Sequence, residues 1–136
     1  MADLSCSSSV LTIGNFDGLH IGHQKILEKL VQIARGKSLP SYIVTFEPNP
    51  KIFFGKENAL LQTPAQRLSS LRNSGVDGIF VVDFDKAHIL SGEDFVRSFL
   101  IERFKMKHLV VGENFRLGKN RSYDINMLCD NLTKLN

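Results

Sequence analysis

The segment from Gly14 to His23 combines three glycines with two histidines, in the order Gly-Asn-Phe-Asp-Gly-Leu-His-Ile-Gly-His. An apolar run from Val10 to Ile13 precedes it and predicts a strand, and an amphipathic pattern from Gln24 to Arg35 follows it and predicts a helix. The free N–H groups and the dipole at such a helix start suit a phosphate. His20 and His23 are three positions apart, so both side chains can face one ligand. The segment therefore predicts a site for an anionic ligand.

The two histidines also allow other interpretations. With Asp17 as a third ligand, His20 and His23 could bind a metal, although two histidines and one carboxylate form a sparse site. They could equally be solvent-exposed residues of a turn that binds nothing. The spacing alone leaves these interpretations open.

Short apolar strands alternate with helical patterns along the rest of the chain. Thr63 can cap a helix, Pro64 suits its first position and Gln66 completes a capping box. The alternation predicts an α/β fold in which helices cover both faces of a parallel sheet. Further strands are predicted at Ser41 to Phe46, Ile79 to Val82 and His108 to Val111. The helix after the first strand is predicted to end near Gly36. Three later helices are predicted: one from Thr63 to Asn73, one that starts at Ser91 and one from Asp124 to Asn136.

Three polar segments follow predicted strands: Asn15 to His23, Glu47 to Pro50, and Glu113 to Arg121. Ligands of parallel sheets bind beyond the carboxyl ends of the strands. We therefore expect these three segments to converge on one site.

Composition limits the classes of protein that fit. The chain has 136 residues, which predicts a single domain, and its net charge of +3 is too small to indicate nucleic-acid binding. Cys6 and Cys129 have no metal-binding spacing, which favours a reduced, cytoplasmic chain. No apolar run is long enough for a membrane span, and residues 1–9 do not resemble a signal peptide. We expect no nucleic-acid or membrane partner, and the oligomeric state is not predicted.

Two common nucleotide-binding motifs do not match. The first glycine-rich segment lacks the Gly-x-Gly-x-x-Gly pattern of dinucleotide-binding folds. The segment from Gly112 to Lys119 has five residues between its glycines where a P-loop has four, and Asn120 follows the lysine. Neither motif therefore explains the predicted anion site.

The segment from Gly14 to His23 instead resembles the His-x-Gly-His signature of the nucleotidyltransferase superfamily. Together with four later segments in the same order, it resembles the FMN adenylyltransferase module of bacterial bifunctional FAD synthetases, over roughly residues 10–125. The resemblance implies a Rossmann-like nucleotidyltransferase fold, with residues 1–136 forming one incomplete FMN adenylyltransferase domain. The later segments are Thr45 to Pro50, Gly75 to Asp77, Ser91 to Phe95 and Val110 to Arg116.

The reaction implied by this resemblance transfers AMP from ATP to the phosphate of FMN, giving FAD and pyrophosphate. The nucleophile is already an anionic phosphate oxygen, so the site needs positioning and charge neutralisation rather than a protein base. The resemblance implies ATP and FMN as substrates and Mg²⁺ as cofactor. By the same resemblance, the catalytic residues are His20, His23 and Asn114, and the ATP-binding residues are Gly14, Asn15, Phe16, Gly18, His20, Gly22 and His23. The flavin-binding residues that it implies are Glu47, Asn49, Asn114, Phe115 and Arg116. Glu47 is also a candidate metal ligand.

Several aromatic and basic side chains have a second interpretation. We predict that Phe16 and Phe46 belong to the core rather than stacking on the flavin. Phe53 and Phe54 fit a loop over the flavin ring and core packing equally well. Arg116, Lys119 and Arg121 form a basic cluster that either contacts phosphate or is a solvated loop.

The chain departs from the family pattern at four points. Asn49 stands where the family usually has His and cannot carry charge, and Leu117 replaces a usual Phe. The Ser-Ser-Thr-x-x-Arg motif that binds ATP phosphates and the riboflavin kinase domain are both missing, so we expect no kinase activity. Ser69 to Arg72 is no substitute, because it lies within the predicted capped helix.

Two alternatives to the transferase remain. One is a module that binds flavin or adenine nucleotide without turnover. The other is a sister nucleotidyltransferase that uses another phosphorylated acceptor.

Overall fold

The computed structural model describes residues 8–18, 21–50, 55, 62–112, 116–117, 123–124 and 126–128. Its strands are β1 (Ser9–Ile13), β2 (Ser41–Glu47), β3 (Gly78–Asp83), β4 (Met106–Leu109), β5 (Arg116–Leu117) and β6 (Tyr123–Asp124). Its helices are α1 (Ile21–Lys37), α2 (Pro64–Arg72), α3 (Phe84–Ala87) and α4 (Gly92–Phe95), and a π-helix (Val96–Arg103) follows α4 directly. None of the helices in these ranges is long and apolar enough to cross a membrane.

Four strands form a parallel sheet in the order β3-β2-β1-β4. The predicted parallel sheet is therefore confirmed. β1 has β2 on one side and β4, which follows a crossover from β3, on the other. The chain thus reverses its direction of progress across the sheet between β1 and β4. Such a topological switch point opens a crevice at the carboxyl ends of the two strands, where ligands of α/β proteins bind.

Alternate residues of the strands pack into two cores, one on each face of the sheet. This arrangement confirms the prediction that helices cover both faces. One core joins β1 and β2 to α1 and α2, through Val10, Phe16, Leu27, Leu30, Ala34, Ile43 and Leu71. The other joins the sheet to α4 and the π-helix, mainly through Leu11, Ile13, Tyr42, Val44, Phe46, Val82, Phe95, Val96, Leu100 and Phe104.

The start of α2 confirms the predicted capping box. The hydroxyl of Thr63 accepts a hydrogen bond from the backbone N–H of Gln66 at 3.2 Å. The side chain of Gln66 accepts one from the backbone N–H of Thr63 at 2.9 Å. Pro64 occupies the first turn, where its missing N–H costs nothing. The helix ends at Arg72, directly before the predicted turn.

The start of α1 and both ends of β4 differ from the predicted bounds by two residues or more. α1 begins at Ile21, three residues before the predicted start, so Gly22 and His23 belong to its first turn. β4 begins at Met106 and ends at Leu109, whereas the apolar pattern predicts a strand from His108 to Val111. Its pairing with β1 starts at Ser9, whose N–H donates to the carbonyl of Lys105 at 3.0 Å.

The helix predicted to start at Ser91 does start there, since Ser91 caps it by accepting from the N–H of Asp94 at 3.1 Å. Its second half is a π-helix rather than an α-helix, and the short helix α3 was not predicted. The prediction of a last helix from Asp124 is wrong at its first residue, which belongs to β6. Residues 126–128 form a helical turn, and Leu128 is buried in the core. Positions 129–136 lie outside the described residues.

Candidate functional site

The glycine-rich segment turns sharply at the carboxyl end of β1. The N–H of Gly14 donates to the carbonyl of Val44 at 3.1 Å, which is the last link between the segment and β2. Phe16 has a φ of 51° and Gly18 a φ of 77°, both in the left-handed region. The ring of Phe16 folds back over Gly14, where an added Cβ would lie 2.9 Å from the ring. Glycine at position 14 therefore lets the turn close.

The aromatic side chains of this edge belong to the core, as predicted. Phe16 is 4% exposed and packs with α1 and α2, and Phe46 is 8% exposed and packs on the other face of the sheet. Their rings are therefore committed to packing. A contact between Phe16 and a nucleotide can only come from its backbone.

His23 lies in the first turn of α1 and packs edge-on against the ring of Phe16, with ring centroids 5.3 Å apart and planes at 70°. The neighbouring Gly22 and Ile21 are exposed. The N-terminus of α1, with N–H groups that have no partner within the helix, is therefore open beside the turn. His20 falls outside the residues that the structure describes.

A side chain outside the three predicted segments joins two of them. Arg67 on α2 is 2% exposed, and its guanidinium lies among acceptors from the ends of β1 and β2. Nη1 donates to the carbonyl of Asn15 at 3.0 Å and to the hydroxyl of Thr45 at 2.5 Å. Nη2 donates to the carbonyl of Phe46 at 3.2 Å and pairs with the carboxylate of Glu47. The predicted convergence of the first two segments is therefore confirmed.

Gln62 is a second contact between α2 and the glycine-rich turn, and it was also not predicted. Its N–H donates to Asp17 Oδ1 at 3.0 Å, and its side-chain oxygen accepts from the N–H of Gly18 at 2.9 Å. Its amide group donates to the hydroxyl of Ser70 at 3.1 Å. Neither Arg67 nor Gln62 belongs to a periodic sequence pattern that would mark it as a contact of the turn. Only the fold therefore identifies these two residues as such contacts.

The role of Asp17 bears on the metal interpretation. Its carboxylate accepts the backbone N–H of Gln62, which is a structural role in the turn. Among the residues that the structure describes, no group of three or more His, Cys, Asp or Glu side chains could hold a metal ion. The described residues therefore contain no preassembled metal site of that kind.

The segment after β2 is held closely against the fold. Glu47 is partly exposed, with 31% of its side chain accessible, and Asn49 is 3% exposed. The peptide bond between Glu47 and Pro48 is cis. Of the two residues predicted to contact flavin in this segment, only Glu47 therefore presents substantial surface.

The third segment is described only in part. A Cβ added at Gly112 would lie 3.5 Å from Cδ1 of Ile26 on α1. The chain beyond β4 therefore starts close to the N-terminal half of that helix. Arg116 on β5 pairs with Asp124 on β6 at 3.3 Å, and its side chain is 48% exposed. Asn114 and Phe115, and the basic residues Lys119 and Arg121, lie outside the described residues.

The side-chain oxygen of Asn15 is buried at this edge. Asn15 Oδ1 has no hydrogen-bond partner among the residues that the structure describes. An unsatisfied buried acceptor costs about 1–3 kcal/mol. The edge thus combines an open helix N-terminus, a histidine and an unused acceptor, a set that suits the phosphates and polar groups of a nucleotide.

Comparison with known proteins agrees with this arrangement. Residues 3–136 match the model of a family described as FAD synthetase. The chain is 38% identical to a bifunctional riboflavin kinase/FMN adenylyltransferase of Buchnera aphidicola over 125 residues, which cover 90% of the chain and 40% of that protein. It is also 38% identical to the protein of that name from Escherichia coli strain K12, over 88% of the chain and 39% of the relative. The chain therefore spans about two fifths of the length of these relatives.

A solved structure shares the fold. A crystal structure described as a macrolide-efflux protein from Streptococcus pneumoniae superposes with a TM-score of 0.78 at 28% identity, over 92% of this chain and 42% of that one. The efflux activity in that description applies to that protein alone. The match over almost the whole chain, with the identity to the curated relatives, shows that this chain belongs to the FAD synthetase family.

Proposed function

We propose that this chain transfers AMP from ATP to FMN. A phosphate oxygen of FMN attacks the α-phosphorus of ATP, a new P–O bond forms, and the bond to the β-phosphate breaks to release pyrophosphate. The observation that carries the proposal is the exposed N-terminus of α1, with His23 in its first turn, beside the carboxyl end of β1 at the switch point of the sheet.

The chemistry requires charge stabilisation more than proton transfer, because the attacking oxygen is already anionic. The N–H groups around Gly22 and His23 would donate to phosphate oxygens of ATP, and the helix dipole would favour their negative charge. The imidazole of His23 would add a further donor, which is stronger when protonated. These contacts strengthen as charge moves onto the leaving pyrophosphate.

Asn15 is the residue that we expect to contact the uncharged part of the nucleotide. Its buried Oδ1 lacks a partner among the described residues. A ligand N–H or O–H would remove this cost, so the binding of a nucleotide gains the free energy that the unliganded protein loses. The roles of His20, Asn114 and Phe115 in the same reaction rest on the family resemblance.

Mg²⁺ would enter this site with ATP. Mg²⁺ usually keeps several waters and binds through one or two carboxylates together with substrate phosphates, so it does not need a complete protein cage. Glu47 is a partly exposed carboxylate at this edge and is the candidate ligand, although it also pairs with Arg67. When bound, Mg²⁺ would neutralise part of the charge of the triphosphate.

The flavin would bind beside the segment after β2. Glu47 and Asn49 are the candidates in that segment, together with Arg116 on β5. Because Asn49 is buried, we expect it to shape the pocket wall rather than to contact the flavin over a large area.

The test is incubation of the chain with FMN, ATP and Mg²⁺, followed by chromatographic detection of FAD and an enzymatic assay of pyrophosphate. Equal amounts of both products are expected, and EDTA should abolish them. Saturable binding of FMN or ATP without FAD formation would contradict the proposal and favour the binding module. Pyrophosphate release with an acceptor better than FMN would contradict it in favour of a sister transferase.

A further inference from the structure

We propose that Arg67 is a positioning residue that joins the carboxyl ends of β1 and β2 into one rigid edge of the nucleotide site, an inference that rests on the function proposed above. Arg67 lies on α2, outside the segments that carry the family resemblance. Its guanidinium binds one acceptor from the turn after β1 and three from the end of β2.

The number of hydrogen bonds separates positioning from direct substrate contact. The two terminal nitrogens of a guanidinium carry four N–H bonds. Arg67 directs them at four acceptors: the Asn15 carbonyl, the Thr45 hydroxyl, the Phe46 carbonyl and the Glu47 carboxylate. With 2% of the residue exposed and its terminal donors engaged, Arg67 acts on the substrate through the residues that it holds.

Arg67 connects the two chain segments just beyond the point where the backbone pairing of β1 and β2 ends. The backbone ladder between β1 and β2 runs from Val10 to Ile13, and the N–H of Gly14 adds one further link to Val44. Asn15 is beyond this ladder, and its carbonyl is held by Arg67 instead. The guanidinium thus continues the connection between the two strands after their backbones stop pairing.

This contact also orients the next peptide bond. A trans peptide is planar, with its C=O and N–H pointing in opposite directions. Because Arg67 binds the carbonyl of Asn15, the N–H of Phe16 points away from α2 and from the guanidinium. Fixing this plane fixes one backbone donor of the turn and the backbone of Asn15, whose side chain the proposed function assigns to the nucleotide.

The charge of Arg67 is balanced within the same contact. A buried guanidinium is stable only when it is paired and its donors are satisfied. Glu47 supplies the counter-charge and remains partly exposed. Lysine would keep the charge but has three donors on one nitrogen, which cannot reproduce the planar four-bond arrangement.

Backbone hydrogen exchange of the unliganded full chain tests the positioning role without relying on activity. We expect Arg67→Met to raise exchange at residues 14–18 and at Phe46, Glu47 and Asn49 by about 10-fold or more, while the amides of Leu11 and Leu30 keep their protection. Arg67→Lys should lie between Arg67→Met and the unmodified chain. The matched control is Arg72→Met, which removes an exposed arginine from the same helix and should leave exchange unchanged.

Kinetics provide the second measurement. In a chain that makes FAD, both Arg67 variants should lower kcat by about 10-fold or more with a smaller change in the KM for ATP, since misplacement of donors affects the transition state most. Wild-type exchange in both variants, or unchanged kcat in variants of an active chain, would overturn the proposal. If Arg67→Met fails to fold, the hydrogen exchange and the kcat of Arg67→Lys alone test the positioning role.

The two proposals fail in different ways. If the unmodified chain forms no FAD, the proposed function is wrong, and the exchange measurement alone decides the role of Arg67. If the chain forms FAD and the Arg67 variants behave like the control, the positioning role is wrong and the proposed function stands.

Discussion

The ring of Phe16 covers Gly14 so closely that a Cβ at position 14 would lie 2.9 Å from its Cε2 atom. The same ring contacts the imidazole of His23 edge-on at a centroid distance of 5.3 Å. The end of β1 and the start of α1 are therefore linked through one buried side chain. A change at Gly14 should reach His23 through this ring.

Gly14→Ala should destabilise the protein by about 1–3 kcal/mol, because the new methyl group overpacks the turn. Urea unfolding measures this effect. The control is Gly36→Ala in α1, where an added Cβ meets nothing within 4 Å. That change should stabilise the protein by up to about 1 kcal/mol, because alanine favours the helix over glycine. Equal effects of the two substitutions would contradict this interpretation of the turn.

His23→Ala should weaken the use of ATP by at least about 1–2 kcal/mol in kcat/KM, because a phosphate donor is lost. The effect on the KM for FMN should be smaller. Steady-state FAD formation at varied ATP measures both. His88→Ala, which removes a histidine next to α3, is the control and should leave the kinetics unchanged. Wild-type kinetics in His23→Ala would remove this histidine from the site.

Thr63→Ala should destabilise the protein by about 0.5–2 kcal/mol, because the first turn of α2 loses its cap. Ser69→Ala, an exposed change within the same helix, should be nearly neutral and controls for the loss of a hydroxyl. Thermal or urea unfolding distinguishes the two. Because α2 carries Arg67, the capping variant should also raise hydrogen exchange at Asn15 and Asp17, and no rise would mean that the turn is held independently of the helix start.

The pKa of His108 on β4 is lowered from its ordinary value of 6.5, first by burial and then by the charges of Lys37 and Lys107. Lys37→Gln should raise the pKa seen by NMR titration without restoring 6.5, since burial is the larger cause. Lys25→Gln, on the same helix, should leave it unchanged.

This shift has a consequence for stability. The unfolded chain binds the proton more readily than the folded chain, so the contribution of His108 is complete above pH 6.5 and is lost as the pH falls below that value. The free energy of unfolding of His108→Gln should accordingly depend less on pH below 6.5 than the free energy of unfolding of the unmodified chain. An equal dependence would contradict the lowered pKa.

The amino-acid sequence determined the features that depend on local patterns. The apolar runs and helical stripes predict an α/β fold, and the Thr63 capping box and the Ser91 helix start occur where the residues indicate. The glycine-rich turn, with α1 after it, is also readable from residue types and spacing. These features follow from backbone geometry within a few residues, which the local sequence controls.

Other features depended on the tertiary structure. The strand order, the bounds of β4 and the contacts of Gln62 and Arg67 join residues that are far apart in the chain; the Asn15–Arg67 bond spans 52 positions. An arginine on a short helix has no local sign that it will be buried, since arginine usually lies at the surface. Its four acceptors come together only when the sheet has formed, and for that reason the tertiary structure alone decides what holds the edge of the site.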